Sequence, residues 1–124
     1  MLAAALRLVL IVDDNLSLAE NIAEILQIDG HTTRVAASAE EAFPTGREEE
    51  PDVLVTDFRL PGISGAAFVK QVRAVHSRVR ALVISACTDP NTVEAVAEAG
   101  ASFMPKPLDL SLLGRWVGEG PSFG

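Results

Sequence analysis

With 124 residues, the chain has the length of one domain, which most often runs to roughly 100–150 residues, and it has no room for a second. Apolar residues make up 48% of it against 22% charged, enough for a packed core and far from the composition of disorder. The formal charge of −7 argues against the clustered Lys and Arg surface that binds a nucleic-acid backbone, so no nucleic acid is expected for this domain.

The apolar start from Met1 to Val12 lacks an early basic region and runs straight into Asp13 and Asp14. At 12 residues it falls short of the roughly 20 that a bilayer requires, so it reads as neither leader nor membrane span. Its second half, Leu8-Val9-Leu10-Ile11-Val12, is the clearest strand. A helix is expected over 16–28, with Leu18, Ile22 and Ile25 on one face, Ser17 and Glu20 as a capping box, and Gly30 as its stop. A weaker strand follows at Thr32 to Ala36, then a second helix near 39–48 that Pro44 and Gly46 should leave short, kinked or frayed.

Val53-Leu54-Val55 and Ala81-Leu82-Val83-Ile84 are further apolar runs, separated by a helix near 65–76. Another helix near 91–99 ends at Gly100, a weak strand covers Ala101 to Met104, and a short last helix puts Leu110, Leu113 and Val117 on one stripe despite Gly114. Runs of four to six apolar residues alternating with helical stretches are the pattern of repeated βα units. Because the runs are continuous rather than alternating, the strands should be buried on both faces, as in a parallel sheet covered by helices. The domain is expected over 1–117, with 118–124 as a flexible tail or the start of a linker.

Polar residues sit directly after the apolar runs: Asp13 and Asp14, Asp57, Ser85 and Lys106. In an open parallel sheet those strand ends share one edge, the edge where such folds bind ligands. Three crowded carboxylates repel one another unless a cation is present, which implies a hard divalent ion with oxygen ligands, Mg²⁺ being the natural choice. Lys106 can pair with an anionic oxygen and Ser85 can donate a hydrogen bond to another. Together they describe a cradle for a phosphoryl group in transfer. Taken singly, each has an ordinary explanation: an Asp or Ser after a strand is usually a cap, and a lone lysine is usually solvated. Their joint occurrence at successive strand ends outweighs those explanations.

The chain resembles the receiver domain of two-component response regulators over about residues 7 to 117. The resemblance rests on Asp13-Asp14 after Leu10-Ile11-Val12, on Asp57-Phe58-Arg59-Leu60-Pro61 with Gly65 eight residues past the Asp, on Ser85-Ala86 and on Lys106-Pro107. It implies an α/β, flavodoxin-like three-layer sandwich: a five-stranded parallel sheet of order 2-1-3-4-5 with five helices. It implies that Asp57 is the phosphoacceptor, and that Asp14 ligates Mg²⁺ directly with Asp13 acting mostly through water. The backbone carbonyl of Arg59 completes the protein ligands, Lys106 pairs with phosphoryl oxygens, and the Lys106-Pro107 bond is cis. The donor would be a histidine kinase or histidine phosphotransfer protein. Self-catalysed phosphotransfer and hydrolysis would be limited, unlike those of a turnover enzyme.

The same resemblance makes Ser85 and Phe103 the switch, acting through packing because Phe103 has no hydroxyl, and sets Arg59 and Cys87 at the pocket mouth. Trp116 is expected to pack within the molecule, with a homodimer through the last helices as the other use of that face. Arg73, Arg78 and Arg80 read as a solvated face, and His31 and His76 lie away from the strand ends that carry chemistry. The single Cys87 fits a reducing compartment, so a cytoplasmic location is expected. Two other classes fail on residues. An aspartyl-nucleophile phosphatase needs a second Asp where Arg59 stands, and a dinucleotide-binding domain needs a G-x-G-x-x-G where Asp13 and Asp14 stand.

Overall fold

The computed structural model describes residues 6–119, apart from the side chains of 44–48 and 119. Its elements in order are β1 (Leu8–Val12), α1 (Leu16–Ile28), β2 (Thr32–Ala36), α2 (Ala39–Glu48), β3 (Val53–Asp57), the short β4 (Arg59–Leu60) and β5 (Ile63–Ser64), α3 (Gly65–Val75), β6 (Arg80–Ser85), α4 (Pro90–Glu98), β7 (Ser102–Pro105) and α5 (Leu110–Glu119). Five strands form one sheet in the order β2-β1-β3-β6-β7, with every pairing parallel. Without the separate β4–β5 hairpin, that is the expected 2-1-3-4-5 order of a flavodoxin-like sandwich.

The continuous apolar runs are explained by what each face meets. Side chains alternate along a strand, and Leu10, Val12, Leu54, Ala81 and Val83 enter one cluster with residues of α2, α3 and α4. Val9, Ile11, Val53, Val55, Leu82 and Ile84 enter the other, with Ala19, Ile22 and Leu26 of α1 and Leu113 and Val117 of α5. Phe68 and Leu10, fully buried on the first side, each contribute roughly 1.5–3 kcal/mol of burial free energy. The edge strand β2 is only half covered, which explains its mixed composition.

Two helices stop where a glycine was expected to stop them. Gly30, at φ +96°, donates to the Gln27 carbonyl while His31 donates to that of Leu26. Gly100, at φ +78°, donates to Ala97 while Ala101 donates to Val96. These are Schellman closures, and the positive φ is why glycine occupies both positions.

Two local expectations need correction, at the start of α1 and the end of α5. Helix α1 starts at Leu16 and is capped by Asn15, whose side chain accepts from the Leu18 N–H. Ser17 therefore lies inside the helix and does not form the capping box with Glu20. Helix α2 occupies Ala39–Glu48, the bounds expected for it, and stays helical through Pro44 and Gly46, packed against β2, β1 and α3, because tertiary packing overrides weak propensity. Helix α5 runs on through Gly118 to Glu119, two residues past the expected boundary. The rest of the expected tail, 120–124, and residues 1–5 lie outside the described residues. No helix among the described residues is long and apolar enough to cross a membrane.

Candidate phosphoacceptor site

The parallel register brings the chemistry-bearing residues to one edge. Val12 aligns with Thr56, Asp57 with Ile84, and Ser85 with Pro105, so Asp13, Asp57, Ser85 and Lys106 all emerge at the carboxyl ends of neighbouring strands. Asp13, Asp14 and Asp57 each offer a carboxylate oxygen within 4.8 Å of the others. Asp13 and Asp57 are buried at 1% and 7% exposure, whereas Asp14 faces solvent. Lys106 closes the group, its Nζ standing 3.1 Å from Asp57 Oδ1 and 3.3 Å from Asp13 Oδ2.

Backbone contacts hold these side chains in place. Asp13 Oδ1 accepts from the Asn15 N–H at 2.8 Å, and the Asp13 N–H donates to the Ala36 carbonyl at 3.0 Å. The Thr56 hydroxyl donates to the Asp57 carbonyl at 3.0 Å. The Lys106 N–H donates to the Ser85 carbonyl at 2.9 Å, and the Lys106-Pro107 bond is cis, as expected. Ser85 Oγ accepts from the Cys87 N–H at 3.0 Å, which leaves its hydroxyl proton for another acceptor.

Gly65 opens α3 directly beneath the site. Its N–H donates to the Phe58 carbonyl at 2.7 Å, and a Cβ there would collide with the Asp57 carbonyl. Only glycine lets the helix start this close to β3.

Charge crowding perturbs the ionisable groups. Burial pushes the Asp57 carboxyl up, with the charges of Asp13 and Asp14 adding to it and Lys106 partly opposing. Burial is the largest single influence on Lys106 and pulls it down, but hydrogen bonding to Asp57 and Asp13, with the charges of both, outweighs it, so its net displacement is upward. The ammonium is therefore held charged between two carboxylates. Three carboxylates against one lysine leave an all-oxygen donor set with excess negative charge, which suits a hard divalent cation.

A cleft of about 330 Å³ opens beside this cluster, lined by Asp57, Arg59, Ser85, Ala86, Cys87 and Lys106. Arg59 reaches its rim from the β4–β5 hairpin, an element that sequence reasoning missed although Pro61-Gly62 signalled a turn, with Gly62 at φ +81°. Phe103 lies elsewhere: half-buried on β7, it packs against the cluster under α2, α3 and α4. Thr92, at the start of α4, donates to Cys87 Sγ at 3.7 Å. Asn15 and Thr56, the two positioning residues absent from the sequence reading, act through contacts that no residue pattern announces.

A family model for the response regulator receiver domain matches residues 9–117. The chain belongs to that family.

As a receiver domain of two-component response regulators, it is similar to a response regulator receiver protein of Anaeromyxobacter sp. (strain Fw109-5), with 38% identity over 83% of this chain and 44% of the relative. It is 26% identical to sporulation initiation phosphotransferase F of Bacillus subtilis (strain 168), over 82% of this chain and 83% of the relative. The receiver domain thus spans less than half the length of the first relative and most of the second. Among solved structures, a receiver domain protein from Methanospirillum hungatei JF-1 superposes with a TM-score of 0.87 over 93% of both chains at 22% identity, which supports the fold.

Proposed function

We propose that Asp57 accepts a phosphoryl group from the phosphohistidine of a histidine kinase or histidine phosphotransfer protein, and that the modified domain changes conformation to control an output. The observation that carries this reading is the ammonium of Lys106 set between Asp13 and Asp57, beside a cluster of three carboxylates at one sheet edge. A phosphotransferase among the relatives is in keeping with it.

In the forward step a carboxylate oxygen of Asp57 attacks phosphorus, the P–N bond to the donor imidazole breaks, and the imidazole nitrogen keeps the electron pair. Asp13, Asp14, Asp57 and the backbone carbonyl of Arg59 would hold Mg²⁺, Asp13 mostly through water. When bound, the ion supplies charge neutralisation for the incoming group. Lys106 would move from its pairing with Asp57 to a phosphoryl oxygen, and the Ser85 hydroxyl would donate to another. In a separate later step water attacks phosphorus, the P–O bond to Asp57 breaks, Asp57 leaves as a carboxylate and inorganic phosphate is released, a slow self-catalysed hydrolysis.

Ser85 is the element that would sense the phosphoryl group. It lies on β6, hydrogen-bonded through its carbonyl to Lys106 and followed by Ala86 and Cys87 on the way to α4. A shift of Ser85 would reposition that connection, and Phe103, between the sheet and the α4 side, would repack with it. Leu112 on α5 and Val93 on α4 are exposed apolar residues, which supports a homodimer through the last helices. A cytoplasmic location goes with this reading.

The test is incubation with Mg²⁺ and acetyl phosphate or beryllofluoride, comparing the domain with Asp57→Ala by intact mass and Trp116 fluorescence. An adduct and a fluorescence change that both depend on Asp57 are expected. Equal labelling of the two proteins, or none in either at saturation, would sink the reading.

A further inference from the structure

Four residues, Ala86 to Asp89, join Ser85 at the end of β6 to a helix whose first turn is braced. Pro90 opens α4, and its ring fixes φ at a helical value. The Asp89 side chain accepts from the Asn91 N–H at 2.7 Å, and the Asp89 carbonyl accepts from the Val93 N–H at 3.1 Å. The first turn of α4 is therefore set to move as one piece with Asp89.

Thr92 stands at the head of the buried face of that helix. It is 9% exposed, and the buried Val96 and Ala99 follow it at the i+4 and i+7 spacing of one helical face. Those two enter the cluster against which Phe103 packs. Valine has nearly the shape of threonine without its hydroxyl, so a hydroxyl in so buried a place calls for a partner. It donates to Cys87 Sγ at 3.7 Å, the longer reach of a hydrogen bond to sulfur, a weak acceptor.

Cys87 is held from its other side by the phosphoacceptor site. Its N–H donates to Ser85 Oγ at 3.0 Å, the turn that a serine side chain makes with the backbone two residues on. Its side chain lines the cleft together with Asp57, Ser85 and Lys106. Two links in series, Ser85 to Cys87 and Cys87 to Thr92, thus run from the cleft to α4. A Ser85 hydroxyl drawn toward a phosphoryl oxygen takes the Cys87 N–H with it, and the Cys87 side chain draws on Thr92.

We propose that Thr92 is a positioning residue of the switch, passing a displacement of Ser85 through the Cys87 thiol to the first turn of α4. The inference rests on the phosphoacceptor reading and adds to it the route by which α4 is reached. Because that turn is braced by Pro90 and Asp89, a pull on Thr92 carries the buried face of α4 with it, and Val96 and Ala99 bring the change to the cluster that Phe103 packs against. Without the Thr92 hydroxyl, Ser85 and Cys87 still respond to a group on Asp57 while α4 keeps more of its resting position.

The experiment compares the full chain with Thr92→Val, which keeps the shape and loses the hydroxyl, and with Thr92→Ser, which keeps the hydroxyl. Each protein is labelled with acetyl phosphate and Mg²⁺ and followed by intact mass. Each is also titrated with beryllofluoride and Mg²⁺ while the amide resonances of Ser85 to Cys87 and of Val93 to Glu98 are recorded. Labelling of Asp57 and the response of Ser85 and Cys87 in Thr92→Val should match the parent. Its displacements over Val93 to Glu98 should shrink by about half, since a hydrogen bond at the weak end of the usual range shifts a two-state equilibrium about twofold. Thr92→Ser should restore them. Cys87→Ala removes the acceptor and should reduce the α4 displacements to the same extent, with the double variant reduced no further. Full displacement of α4 in Thr92→Val, equal loss in both Thr92 variants, or a parent-like α4 response in Cys87→Ala would overturn the proposal. No labelling of the parent at Asp57 would overturn the phosphoacceptor reading and this inference with it.

Discussion

The two edges of the sheet are built from opposite charges. At the carboxyl ends of the strands three carboxylates surround one ammonium; at the amino ends three guanidinium groups and the half-buried His76 line one cleft with two carboxylates. Backbone hydrogen bonds organise both, through Asn15 on Asp13 at one edge and Leu8 on Asp52 at the other. What differs is how balanced each edge is within the protein. The first has an excess of acceptors that calls for a cation, and the second has donors without acceptors. Parallel strands gather polar residues at both ends of the sheet, and open α/β sheets bind ligands at the carboxyl ends.

The sharpest way to break the contrast is to remove the cation that pairs with the carboxylates of the carboxyl edge. Lys106→Met leaves Asp13 and Asp57 facing one another without an ammonium between them. Labelling of Asp57 by acetyl phosphate with Mg²⁺ should slow by about a hundredfold, the loss expected when one preorganised charge at a reacting group is deleted. Rates within threefold of the parent, measured by intact mass over time, would mean that Lys106 is a structural ion-pair partner only.

Next in size is a backbone effect at the same edge. Gly65→Ala drives a methyl group into the Asp57 carbonyl, and because α3 is anchored on its other side by Phe68, Val69 and Val72, the strand end must move instead. Overpacking of this kind costs about 1–3 kcal/mol. The urea midpoint should fall accordingly, whereas Gly118→Ala, which meets open space within α5, should not lower it. Equal midpoints for the two variants would show that the β3–α3 junction is looser than its contacts imply.

Much of the carboxyl edge was legible in the sequence because its residues follow the apolar runs directly, and a strand that is buried on both faces advertises where it ends. Helix α1 was expected over the residues it occupies, since Leu18, Ile22 and the Gly30 stop fix its face and its end. Its first residue was less visible: Ser17 with Glu20 satisfies a capping pattern, but Leu16 is already helical because Asn15 is the residue that turns the chain away from the site. The amino edge was hardly legible at all. Arg73 and Arg80 read as solvated charges, yet both are half-buried, and the partner of Arg80 lies 36 residues away. Such pairings depend on how α5 packs under the sheet, which residue spacing does not encode. Trp116 was expected to pack within the molecule, and it does so against the α1–α5 cluster.

The smallest effect should come from a titration at the amino edge, where His31 begins the approach to β2. Its Nδ1 accepts from the Arg7 N–H at 3.0 Å, which requires an unprotonated nitrogen. Burial lowers its pKa below the usual value, partly opposed by Asp29 and reinforced by Arg7. The folded state therefore binds the proton less readily than the unfolded chain, so stability rises with pH across the interval between the two values. The contribution is complete above the unfolded value of 6.5 and is lost as pH falls below it through the lower folded value. His31→Gln keeps a neutral acceptor and cannot titrate there. Urea midpoints measured from pH 7.5 down to 5 should fall more for the parent than for the variant, and parallel curves would mean that the Arg7 N–H finds another acceptor when His31 is protonated.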